Sequence, residues 1–290
     1  MIQHNASSGM STQGFFAKKR RAVREWLLHL GRIYLIVPLL SALIFSLFPS
    51  TALTDSPLML RRQFQLEGAA MGHTDLFSAQ GDTGLLLRVT RLRQLPRYQN
   101  GCEITSLAML LRYLHIDVSL PELAHKIARD KTPLTQSPNG AILSWGNPER
   151  GFVGSMRGNA PGYGVYHTPI ANLLNQLAQK RALDMTGKPF RALLTLLGTG
   201  RPVIVWTTID YTAHVPFITW QSPTGRVRAT WQEHVVLLVG YNARDVYVNN
   251  PLTGTRQAIP RKTFESSYVA MGRQAITVTS LAQKPAPRRA

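Results

Sequence analysis

Apolar positions change period once along the chain. From residue 102 to about 197 they recur every three or four residues; from Arg201 they gather into short β-branched runs. Ile104, Leu107, Ala108, Leu111 and Leu114 predict a helix over about 102–115. Asn100 is its expected N-cap, which places Cys102 in the first turn. Ser119-Leu120-Pro121-Glu122 has the cap, proline and acid of a second helix start, running to about Arg129. Thr168-Pro169 opens a helix to about Lys180, and another fits Pro189 to Leu197, closed by Gly198 and Gly200. Then the strands begin. Val203–Thr208 is apolar and β-branched; 214–221 and 227–231 are weaker candidates. His234–Tyr241 is a continuous apolar run, the pattern of a strand buried on both faces. Asn242–Asp245 turns the chain, Val246–Asn249 pairs back, and Ala275–Val278 is a last strand. Helices first and strands after predict an α+β domain, its N-terminal helices packed on an antiparallel sheet.

The stretches outside this pattern set the boundaries. Residues 1–52 carry Lys18-Lys19-Arg20-Arg21, Arg24 and Arg32, then an apolar run from Ile33 to Phe48 and the small residues Ser50 and Ala52. That is an export pattern, either a signal peptide or a transmembrane anchor with its N-terminus inside. It implies an extracytoplasmic location for the residues beyond 52, periplasmic or secreted, or held at the inner membrane. Residues 53–84 have no period and fit a linker, 85–280 form the domain, and 281–290 a basic tail. Leu85–Val89 is its expected first strand. Residues 131–168, rich in Gly, Pro, Asn and Ser, make a long loop with Trp145, Phe152, Tyr163 and Tyr166 along it. Those aromatics either form substrate subsites or pin the loop to the core.

Length and composition narrow the classes. A chain of 290 residues fits one domain of about 200 residues with appendages. Its single cysteine excludes a disulfide framework and a zinc cluster of thiolates. No phosphate loop, pair of catalytic carboxylates or metal motif occurs, so no cofactor is implied. The net charge of +18 divides into +5 for residues 1–52 and +13 for the rest. That favours anionic surroundings such as phospholipid headgroups, anionic envelope polymers or nucleic acid; solubility through charge is the alternative.

The candidate chemistry lies in Gln94-Leu95-Pro96-Arg97-Tyr98-Gln99-Asn100-Gly101-Cys102-Glu103-Ile104-Thr105-Ser106-Leu107. At a helix start the backbone N–H groups and the dipole bias a thiol toward thiolate. The alternative is a small buried hydrophobe. The stretch resembles the nucleophile segment of papain-like cysteine peptidases, in the extracytoplasmic branch related to the bacteriocin-processing, double-glycine-leader peptidase domains. Gly162-Tyr163-Gly164-Val165-Tyr166, Glu233-His234-Val235-Val236 and Val248-Asn249-Asn250-Pro251-Leu252-Thr253-Gly254 are similar too. The resemblance covers roughly 85–280.

It implies a papain-like fold, a peptide or protein substrate, no cofactor and no nucleic acid. It also implies roles: Cys102 as nucleophile, His234 as base, Asn250 orienting the histidine, and Gln94 with the Cys102 N–H as oxyanion donors. His234 follows Cys102 by 132 residues, within the spacing of about 130–150 of the papain group. His167 and His214 are the competing histidines, Gln99 the competing glutamine. The family has aspartate where this chain has Asn250; an amide can still orient the ring, though it stabilises imidazolium less than a carboxylate. Glu103 beside the thiol would oppose thiolate formation, unless it serves the helix N-terminus. Two other functions fit the same residues: a binding module without turnover, for peptide or anionic envelope polymer, or an amidase or acyl transferase on cell-wall peptide.

Overall fold

The computed structural model describes residues 74–79 and 82–281. The leader, its apolar run and the end of the tail lie outside them. The chain divides into two units, His73–Thr135 with Ile142–Ala290, and Met1–Gly72 with Gln136–Ala141. In the second, residues 136–141 form a turn in which Ser137 N donates to Ala141 O at 2.9 Å.

The strands are β1 Thr74–Ala79, β2 Asp82–Leu87, β3 Arg129–Asp130, β4 Thr135–Gln136, β5 Ile142–Ser144, β6 Phe152–Gly154, β7 Gly162–Gly164 and β8 Ala182–Asp184. They continue as β9 Val203–Thr208, β10 Ile218–Ser222, β11 Gly225–Ala229, β12 Glu233–Tyr241, β13 Asp245–Asn250, β14 Thr255–Pro260 and β15 Ala275–Val278. The helices are α1 Cys102–Tyr113, α2 Leu120–Lys126, α3 His167–Leu177, α4 Phe190–Gly198 and α5 Arg261–Ala270.

The core is built on β12. Its run Val235–Val239 is fully buried, as an unbroken apolar strand requires; burying each such side chain contributes about 1.5–3 kcal/mol. One edge pairs antiparallel with β9 over Glu233–Leu238, then with β2 at Gly240 and Tyr241. The handover needs Gly240, because a Cβ there would run into the Leu85 carbonyl. The other edge pairs with β13, which pairs with β14. Beyond β9 come β15 and β8. Every residue of α1 except Arg112 is buried, as in a helix covered all round. Ser106 Oγ pins α1 to β12 by donating to Val235 O at 3.2 Å. This α+β layout, helices on an antiparallel sheet, is the expected one.

Several expected boundaries move. Gly101, not Asn100, caps α1, and it does so without a side-chain bond. Asn100 instead donates through Nδ2 to Ser155 O at 2.8 Å. Ser119 does cap α2, accepting from Glu122 N at 3.3 Å, but the helix stops at Lys126. The β1–β2 hairpin occupies part of the stretch expected to be linker. Within 142–168 the expected loop contains β5, β6 and β7, and Trp145, Phe152, Tyr163 and Tyr166 are all buried. Trp145 and Tyr163 lie against Trp220, with ring centroids 5.9 and 5.4 Å away, so these aromatics pin the loop to the core.

Candidate active site

β12 starts at Glu233, so His234 stands at the sheet's end, opposite Thr207 of β9. β13 returns the chain to that end and finishes at Asn250. His234 Nε2 and Asn250 Oδ1 are 2.9 Å apart, both side chains buried. The amide is held on every side. Oδ1 accepts from Leu252 N at 2.9 Å; Nδ2 donates to Gln257 Oε1 at 2.9 Å and to Tyr211 Oη at 3.2 Å. Tyr211 in turn donates to Gln257 Oε1 at 2.8 Å. Burial keeps the Tyr211 phenol neutral by raising its pKa, more than its bond to Asn250 lowers it.

These bonds fix the histidine's proton. The Leu252 N–H is a backbone donor, so the atom it meets must be the amide oxygen. That oxygen therefore accepts from His234 Nε2. A neutral His234 then carries its proton on Nε2 and leaves Nδ1 as the basic nitrogen. Tyr211 and Gln257, which fix this arrangement, were not singled out from the sequence. Tyr211 holds a positive φ of 57°, uncommon for a bulky residue, and no local pattern marks either side chain.

Cys102 is the first residue of α1 and is buried. Its Sγ lies 3.5 Å from Glu103 Oε2 and donates to it. Glu103 is fully buried, and its Oε1 accepts from Val165 N at 2.7 Å. So Glu103, in the first turn of α1, also ties down the β7–α3 segment. Val165 is held from the other side as well, its carbonyl accepting from Trp206 Nε1 at 3.0 Å. Gly164, with φ of +149°, leaves room for the carboxylate; a Cβ there would strike Glu103 Oε1 and come 3.4 Å from Glu233 Oε2. One donor atom from each of Cys102, Glu103 and Glu233 lies within 4.8 Å of the others. By donor type that group could hold a metal ion. It also shows that the thiol sits beside the residue preceding His234. Two buried carboxylates this close oppose each other's charge.

Gln94 is buried, and its backbone N donates to Pro251 O at 2.9 Å, next to Asn250. Its Nε2 donates to Gln99 O at 3.0 Å, leaving one amide hydrogen for another acceptor. Its Oε1 is buried and meets no hydrogen-bond donor among the described residues. Gln99, the competing glutamine, is exposed. His167 starts α3, with Nδ1 2.6 Å from Asp184 Oδ2 and Nε2 3.5 Å from Glu149 Oε2. Both ring nitrogens thus face carboxylates. His214 is exposed.

Known proteins share this frame. The uncharacterized protein YvpB of Bacillus subtilis (strain 168) is 40% identical over 183 residues, 63% of this chain and 70% of its own length. A crystal structure of a candidate C39-like peptidase from Bacillus anthracis superposes with a TM-score of 0.60 at 35% identity, over 68% of this chain and 96% of that one. The fold is that of the papain-like, C39-related domains. Residues 86–276 match the Peptidase_C39 like family, and the chain belongs to it.

Proposed function

We propose that this protein is a cysteine peptidase that cleaves peptide bonds through an acyl-enzyme on Cys102. The observation that carries the reading is the locked His234–Asn250 pair, whose hydrogen bonds put the proton on Nε2 and the basic lone pair on Nδ1. Cys102 Sγ transfers its proton to Nδ1 and attacks the scissile carbonyl carbon. The carbonyl oxygen becomes an oxyanion, which accepts from the Cys102 backbone N–H and the remaining Gln94 amide hydrogen. Collapse breaks the C–N bond; the imidazolium returns the proton to the leaving amine, and Asn250 holds the ring in place for both transfers. Water, deprotonated by the same nitrogen, then releases the acid and restores the thiol. The basic segment and apolar run before residue 53 support an extracytoplasmic place of work.

The test is labelling by a peptidyl epoxide inhibitor, read by intact mass and peptide mapping, followed by cleavage of a peptide library. A single adduct on Cys102 and cleavage lost in Cys102→Ala are expected. Absence of an adduct on the folded protein would make the domain a binding module, a reading that the Cys102–Glu103 contact favours. An adduct without peptide cleavage would move the chemistry to another amide or acyl substrate.

A further inference from the structure

The remaining charge of the domain is not spread evenly. Between Asp82 and Glu103 the chain has four arginines, Arg88, Arg91, Arg93 and Arg97, and no carboxylate. Between Asp245 and Glu265 it has Arg256, Arg261 and Lys262, again with no carboxylate. The fold brings the two stretches together. Asn249 of β13 is fully buried and donates through Nδ2 to Val89 O at 3.2 Å. Its Oδ1 accepts from Arg256 Nε at 3.4 Å. The result is an open cavity of about 480 Å³ lined by Arg88, Val89, Thr90, Arg91 and Arg256. Arg93 lies just outside, its stem 3.0–3.5 Å from the Cβ position of Gly254, at the turn between β13 and β14.

We infer that this cavity is an anion-binding site for a ligand bearing phosphate groups. Guanidinium forks match phosphate oxygens in geometry as well as charge. Arg88, Arg91 and Arg256 line the cavity together with Thr90. The cavity is open to solvent and has room for a ligand larger than a water molecule. The site is separate from the peptidase centre. Side chains alternate along a strand, so Asn249 and its cross-strand partner Arg256 face away from Asn250. The inference does not rest on the peptidase reading. Free polyphosphates and the headgroups or polymers of an anionic envelope present the same chemistry.

The experiment uses the full chain. Inorganic pyrophosphate is titrated by calorimetry at low salt, and vesicles of phosphatidylglycerol and phosphatidylcholine are tested by co-sedimentation. Saturable binding in at least one arm is expected, weakened by salt. Pyrophosphate alone would point to a small ligand, vesicles alone to a surface. Arg88→Ser/Arg91→Ser should weaken binding at least tenfold while the variant stays folded by circular dichroism and keeps its Cys102 labelling. Arg191→Ser/Lys188→Ser, which removes the same charge elsewhere, should leave it within twofold. No saturable binding in either arm, or equal losses in the two double variants, would overturn the site and leave only general attraction to a basic protein.

Discussion

Two histidines of this fold have opposite surroundings. His167 stands at a helix start between two carboxylates, Asp184 and Glu149, both partly exposed. His234 stands at a strand start, buried, against a neutral amide. By charge alone, His167 has the company usually expected of a catalytic base. Both nitrogens of His167 face carboxylates, whereas Nε2 of His234 meets a neutral amide oxygen. A base needs a nitrogen aimed at a proton to be moved, and orientation can be supplied without charge. The carboxylates near the candidate centre lie instead on the cysteine's side, at Glu103 and Glu233.

The sharpest way to break this comparison is to remove each ring. His234→Ala should lower kcat by roughly 10³–10⁴ on a peptide identified by library cleavage. His167→Ala should leave kcat within about threefold and act on stability instead. The reverse ranking would transfer the base to His167. Next comes the amide. Asn250→Ala should reduce kcat by roughly one to three orders of magnitude, as loss of an orienting group does. Asn250→Asp should stay within about tenfold of the parent, since Tyr211 can donate to the new carboxylate and the Gln257 amide can turn to offer its nitrogen. Equal losses in both variants would mean that the neutral charge itself matters. On the cysteine's side, Gly164→Ala should cost about 2–3 kcal/mol in urea melts. Its methyl would displace Glu103 from Val165 N in a backbone conformation that L side chains rarely adopt. An unchanged midpoint would show that the carboxylate has another place to go.

The same contrast explains how much the sequence could reveal. α1 was legible because its apolar period and the Asn-Gly break before it are local signals. So was β12, whose unbroken apolar run has one reading at that length. The His234–Asn250 meeting followed from the hairpin that returns the chain to the start of β12, but the roles of the two residues came through the family resemblance. Its supports were invisible: Tyr211 and Gln257 reach Asn250 from 39 and 7 residues away, on elements with no pattern of their own. Asn100 looked like a cap and is instead spent on Ser155, 55 residues on. β14 and α5 were missed because Thr255–Pro260 mixes polar and apolar residues without a clean alternation, and Arg261–Ala270 buries only Phe264, Ser267 and Tyr268. Glu103 was legible as a first-turn acid of α1, but nothing local announces its bond to Val165.

The smallest expected effect concerns the stability that His167 contributes. Burial opposes its charge, but the hydrogen bond to Asp184 and the charges of Glu149 and Asp184 outweigh that, so its pKa is raised above the ordinary histidine value. A raised folded value means stability that is fully present below the unfolded pKa of about 6.5 and lost as pH climbs through the folded one. Asp184 has the opposite sign. Burial would raise it, but the bonds from His167 and Thr186 hold it down to about 2. Its contribution is present above the unfolded carboxyl value of about 3.9 and lost as pH falls through about 2. Glu149 works against the cluster at higher pH, because burial outweighs the pull of His167 and raises its pKa. The cluster should therefore be strongest between about pH 4 and 6.5. The Asp184 and Glu149 side chains are 39% and 44% exposed, so solvent screening holds the effect to about 1 kcal/mol. Urea melts of the parent and His167→Ala at pH 5.5 and pH 9 measure it. The gap between the two proteins should be largest at pH 5.5 and should shrink by pH 9. An equal gap at both values would mean that His167 holds its place by packing alone, and that the electrostatic half of the comparison with His234 is wrong.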